Sequence, residues 1–221
     1  MIPRLLPLAA ALSFVTQARA ADADVDGGAP TRQRASKQDV HVAAGPGYAH
    51  DAVLGDVVAQ SLVVGYRYRW FEPAIVGDFG TPVRGGGYAA LGMSLGAVLQ
   101  TDGGARFGLR GVIGSDSYAG LGCETFCSRG AAATLPYAAA HMSASYVFPS
   151  TGRLHLELGV DTFYGRDLAR ARVAYVTNGG PLGPTALTEE RTLGGQRLGV
   201  TATVGLTFDT SSSAARLLAR R

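Results

Sequence analysis

The sequence is poor in charge, in aromatic rings and above all in lysine. Charged residues make up 17% of the 221 and aromatic residues 8%, against roughly a quarter charged in an ordinary soluble domain. Lys37 is the single lysine among 20 basic side chains, and the formal net charge is only +3. So small a positive charge excludes a basic nucleic-acid binder. Two cysteines are too few for a disulfide-dense mini-scaffold. What is abundant is apolar residues, at 47%, and glycine, with 31 copies. That excludes a disordered polar chain and leaves a membrane protein or a glycine-rich all-β protein.

The N-terminus indicates export. Arg4 precedes an apolar run over residues 5–15, and the segment closes on Ala18-Arg19-Ala20 before Ala21-Asp22. This is the pattern of a secretory signal peptide cleaved after residue 20, because the run is shorter than the roughly 20 residues of a membrane-spanning helix. Cleavage removes Arg4 and Arg19 and leaves the remainder close to neutral. Residues 21–38, short-chained, polar and without period, read as a flexible leader. Export also places Cys123 and Cys127 where they can oxidise. A disulfide across so short a loop contributes about 2 kcal/mol; two free thiols and half of a metal site are the competing readings, and no second Cys or His pair lies nearby to complete the latter.

From Asp39 onward the period is two. In residues 62–70 the even positions Leu62, Val64, Tyr66, Tyr68 and Trp70 are large and apolar, whereas Gly65, Arg67 and Arg69 share the other face. Residues 89–99, 106–116, 140–148, 154–164 and 198–208 keep the same rule, and the weaker segments 40–48 and 74–79 bring the count to eight strands. Residues 85–101 and 130–152 are uncharged, and the first holds Gly92-x-x-x-Gly96, a spacing that packs membrane helices. Glycine in the first, with Pro136, His141 and Pro149 in the second, favours strands over helices. Short connections (71–73, 101–104, 149–152) alternate with longer ones (49–56, 80–86, 117–135, 165–190), so short and long turns lie at opposite ends.

One face of the set is an almost unbroken apolar row; the other mixes Gly, Ser and Thr with charge. Aromatic residues sort by height: Tyr66, Tyr68, Trp70, Phe107, Tyr146, Phe148 and Phe208 toward the short turns, and Tyr48, Phe79, Tyr88, Tyr118, Tyr137 and Tyr164 toward the long loops. Two aromatic belts around an aliphatic band predict a closed barrel spanning a bilayer. Slipping residues 154–164 by one position would turn His155, Glu157 and Asp161 toward hydrocarbon, at up to about 2–4 kcal/mol for each charge. With the register kept, Glu157 and Asp161 face the lumen with Arg67, Arg69, Arg110 and Arg197. An eight-stranded barrel is just wide enough for side chains to fill, so these six are expected to form a charge network that plugs the interior.

The signal peptide, the eight alternating strands, the stretch Val64-Gly-Tyr-Arg-Tyr-Arg-Trp-Phe-Glu-Pro-Ala and the final strand over 198–208 resemble a known family. It is the group of small Gram-negative outer-membrane barrels that includes the opacity proteins and outer-membrane-protein-A-like transmembrane domains. The resemblance covers residues 39–208, and residues 209–221 form a short C-terminal tail. It implies residence in the bacterial outer membrane, contact with outer-membrane lipid, and insertion by the barrel-assembly machinery. In the family that machinery reads a last strand ending in an aromatic residue; Phe208 matches, although here the tail follows it.

Three functions follow from this pattern. The favoured one is a non-catalytic surface barrel whose loops 117–135 and 165–190 meet envelope or host ligands. A small channel with inward arginines as selectivity groups is the second. The third is a lipid-modifying enzyme: His141 and Ser143 share a strand face in a spacing that resembles a lipid A deacylase's His-x-Ser pair, and Glu157 on the next strand could orient the histidine. Met142 and Ala144 claim the apolar face, which turns His141 and Ser143 inward and favours a lumen histidine. No cofactor, metal or nucleic-acid partner is expected.

Overall fold

The computed structural model describes residues 38–82, 86–121, 131–178 and 186–210. The expected signal peptide, nearly all of the leader, Cys123, Cys127 and residues 211–221 lie outside them. Ten strands follow in order: β1 (Gln38–Asp51), β2 (Gly55–Tyr68), β3 (Phe71–Pro82), β4 (Gly87–Gln100), β5 (Ala105–Leu121), β6 (Ala131–Val147), β7 (Leu154–Asp167), β8 (Ala171–Asn178), β9 (Ala186–Leu193) and β10 (Gln196–Asp209). Eight of them close into one antiparallel barrel in the order β1-β10-β7-β6-β5-β4-β3-β2, while β8 and β9 pair separately. The uncharged stretches 85–101 and 130–152 therefore contain β4 and β6. Among the described residues no helix is long and apolar enough to cross a membrane.

The alternation dictates which face is which. Leu91, Met93, Leu95, Leu109, Ile113 and Met142 are all more than half exposed on the outside, and their sequence neighbours point in. Closure joins the first strand to the last, from Asp39 opposite Asp209 to Asp51 opposite Arg197. Interior glycines make room for the largest inward side chains. Gly80 lies directly opposite Tyr88, and a Cβ there would sit 2.0 Å from the ring. A Cβ on Gly165 would sit 2.2 Å from the Tyr137 hydroxyl.

The long-loop end departs from expectation. β5 and β6 run on to Leu121 and from Ala131, so most of 117–135 is strand. Toward that end their outward-facing residues are Ser115, Ser117 and Ala119 on β5 and Pro136, Thr134 and Ala132 on β6: strand geometry continues where the outer face no longer has to carry large apolar side chains, and the hydrophobic period stops first. Only residues 52–54 separate β1 from β2, a tight turn tied by the Val53 and Leu54 amides, which donate to Asp51 Oδ1 at 2.7 and 2.9 Å. Residues 165–190, expected as one long connection, hold the top of β7, all of β8 and most of β9.

This β8–β9 hairpin folds over the barrel mouth. Leu193 is fully buried in a cluster with Ala49, Val53, Tyr118, Leu135 and Phe163, and Ala171 and Val173 pack against it. An Arg191 guanidinium N–H donates to the Val53 carbonyl in the β1–β2 turn, anchoring the hairpin on the far side.

Candidate functional site

The interior is built from two layers of paired charge. Toward the short turns, β1, β2, β3, β5 and β7 contribute Asp39, Arg67, Glu72, Arg106, Arg110, Glu157 and Asp161, all buried. Arg67 donates to Glu72 at 2.7 Å and to Asp39 at 3.3 Å. Arg106 bridges Asp39 at 2.7 Å and Glu157 at 3.0 Å. Arg110 bridges Asp161 at 2.8 Å and Glu72 at 3.3 Å. Thr207 also donates to Glu157, at 2.8 Å. The three guanidiniums and four carboxylates thus form one continuous net across the lumen, each charge meeting an opposite charge where desolvation would otherwise be costly.

The second layer lies under the hairpin. Arg197 of β10 donates to Asp51 at 2.9 Å and also to Asp116. Its guanidinium carbon sits 3.2 Å from the Tyr88 ring centroid and 5.7 Å from that of Tyr137, a caged cation–π arrangement. The Tyr118 hydroxyl donates to Asp167 at 2.8 Å, and Asp167 accepts the Gly195 amide at 3.0 Å. Between the layers, the His141 ring stacks on Phe163 with centroids 5.4 Å apart. His141 faces Asp78 at 3.5 Å and Asp161 at 3.4 Å.

The expected network is partly assembled. Arg67, Arg110, Glu157 and Asp161 meet in the lower layer, and Arg197 belongs to the upper one. Arg69 joins neither: it occupies the two-residue turn between β2 and β3 with φ 60°, is exposed, and lies over the Tyr68 ring at 5.5 Å. The strand ends before it, so parity no longer aims it inward. Asp39, Glu72, Arg106, Asp51, Asp78 and Asp116 complete the layers without having been assigned to the network. Parity places Arg106 and Asp116 on the inward face, but the faint pattern of β3 hid Glu72 and Asp78.

Half of the expected upper aromatic belt is corrected too. Tyr48, Phe79 and Tyr164 are outward and at least 41% exposed, whereas Tyr88, Tyr118 and Tyr137 are at most 4% exposed and wall the Arg197 cage. Height placed them correctly, and strand parity places them inside.

The catalytic candidates do not converge. His141 is fully buried and opposite Phe163, and its carboxylate neighbours are Asp78 and Asp161. Ser143 is opposite Asp161, while Glu157 is opposite Val147 and bonds Ser145, Thr207 and Arg106. Glu157 thus does not orient His141. Among the described residues a small cavity of about 30 Å³ lies between His41, Arg67, Glu72, Arg110 and Glu157, room for a water or two. Among the described residues no group of three or more His, Cys, Asp or Glu could hold a metal ion.

An outward apolar band and an inward charge net on eight closed strands define an antiparallel barrel of the transmembrane pattern. The crystal structure of Neisserial surface protein A, NspA, superposes on this chain with a TM-score of 0.51 over 80% of this chain and 100% of that one, at 14% identity. The β domain of the Bordetella autotransporter BrkA matches at TM-score 0.38 and 12% identity, over 79% of this chain and 100% of that one. The chain has the fold of the small eight-stranded outer-membrane barrels. No protein-family model matches the sequence, and no curated protein does.

Proposed function

We propose that this chain is a non-catalytic protein of the Gram-negative outer membrane. Its barrel is an anchor, its lumen a structural core, and its long-loop end the surface that meets envelope or host ligands. The observation that carries this reading is the filled lumen. Two charge layers and the Leu193 cluster occupy the bore from the short turns to the hairpin, and the cavity of about 30 Å³ in the lower layer has no room for a solute. That weighs against conduction, and the separation of His141, Ser143 and Glu157 supports a structural role for each.

Export through the signal peptide and insertion by the barrel-assembly machinery at β10 belong to the same proposal. Phe208 stands 45% exposed on the outer face one residue before β10 ends, where an aromatic side chain would meet both lipid and the assembly machinery. The long-loop ends of β5 and β6 and the β8–β9 hairpin present the distal surface, and outer-membrane lipid surrounds the band below them. Fractionation of expressing cells, followed by gels of boiled and unboiled samples, tests the proposal. The expected result is an outer-membrane species whose mobility shifts on boiling. A soluble periplasmic species with one mobility would overturn it.

A further inference from the structure

Charge is nearly absent from the outer face of the barrel, and its distribution there points to a lipid. Among the described residues, Asp56 and Arg166 are the only charged side chains facing outward along the eight strands, and both lie at the long-loop end. Asp56 is engaged with His50 at 2.8 Å. Arg166 stands two residues beyond Tyr164, the outward ring of the upper aromatic belt. On a strand that is a step of roughly 7 Å away from the bilayer centre, to the level where an arginine costs little and headgroups begin.

The chain then continues with Leu168, 64% exposed, whose amide donates to the Pro136 carbonyl at 2.8 Å and so holds it beside β6, one step further out than Arg166. Arg170 and Arg172 follow, both exposed. Arg170 can lie no further than about 14 Å from Arg166 along four residues, within reach of one headgroup by two long side chains. Arg172 is on the face of β8 turned away from Ala171 and Val173, which pack on the barrel, and exposed Glu190 of β9 is the nearest acid that its register brings toward it. An outward tyrosine with three arginines beyond it, all within nine residues, makes an edge that is aromatic below and cationic above.

We infer that Arg166, Arg170 and Arg172 form a binding edge for the phosphorylated sugar headgroup of the glycolipid in the outer leaflet, with Tyr164 against its acyl chains. Guanidinium groups suit this partner because each can pair a phosphate through two parallel N–H donors, and basic clusters beside a membrane band select anionic headgroups. The inference rests on the outer-membrane reading proposed above.

The test uses the full chain refolded in a neutral detergent and titrated with bisphosphorylated lipid A, with its dephosphorylated form, and with inorganic phosphate. Wild type is expected to bind the phosphorylated lipid tightly and neither of the others. The variant R166Q/R170Q/R172Q should bind it roughly 100-fold more weakly, while R69Q, at the opposite end, should match wild type. Equal binding of both lipids, saturation by inorganic phosphate alone, or an unaffected triple variant would each overturn the inference. Boiled and unboiled gels of every sample separate the two levels: a shift with no phosphate dependence sinks the headgroup edge alone, whereas loss of the shift in wild type sinks the membrane reading beneath it. Should the triple variant not fold, R170Q and R172Q, outside the barrel strands, give the same reading singly.

Discussion

Arg197 sits with its guanidinium carbon 3.2 Å from the centre of the Tyr88 ring while its Nε donates to Asp51 at 2.9 Å. One cation therefore holds β10 to β1 and β4 across the lumen and also binds Asp116 of β5. Removing it strands two buried carboxylates under the hairpin. Arg197→Ala is expected to cost about 3–5 kcal/mol, read as an earlier urea midpoint for the compact, heat-shiftable form. An unchanged midpoint would show that the cage is not structural.

In the lower layer, Asp39 accepts from both Arg67 and Arg106. Asp39→Asn and Arg106→Gln should each destabilise strongly, yet together by less than their sum, since each removes one of the other's two charged partners. A double-mutant cycle on refolding in micelles should return a coupling of about 1–3 kcal/mol. Additive losses would mean that the pair does not interact in the folded protein.

Gly80→Ala places a Cβ 2.0 Å from the Tyr88 ring. The expected loss is about 1–3 kcal/mol, and combined with Tyr88→Ala it should disappear, the double variant being no less stable than Tyr88→Ala alone. An equal further loss in the Tyr88→Ala background would refute the close packing between β3 and β4.

The tyrosines also report the register. Thiol labelling of Tyr164→Cys in detergent should be rapid and that of Tyr137→Cys blocked until unfolding, because the first is 46% exposed and the second 2%. The unsubstituted chain supplies the background from Cys123 and Cys127. Rapid labelling of Tyr137→Cys would place that face outside.

Much of the barrel is legible in the sequence because an apolar outer face imposes period two wherever hydrocarbon would touch it. Leu91 to Leu99 and Leu198 to Phe208 are read from that constraint alone. Beyond the band the constraint lapses, so Ser115, Ser117, Thr134 and Pro136 conceal the upper halves of β5 and β6, and Asn178-Gly-Gly-Pro reads as loop although strands flank it. The lower charge layer is half legible. Arg67, Arg110, Glu157 and Asp161 sit on strongly periodic strands, whereas Glu72 follows a turn on a strand with Pro73 and Gly77 on its outer face. Tyr88, Tyr118 and Tyr137 carry their own signal in parity, which sorting by height alone overrides.

Planar-bilayer recording of the refolded chain tests the filled lumen most directly. The wild-type protein, inserted and shown to be heat-modifiable, is expected to give no stable conductance steps. Regular ohmic steps from that same material would contradict a bore closed by the Arg106 and Arg197 layers.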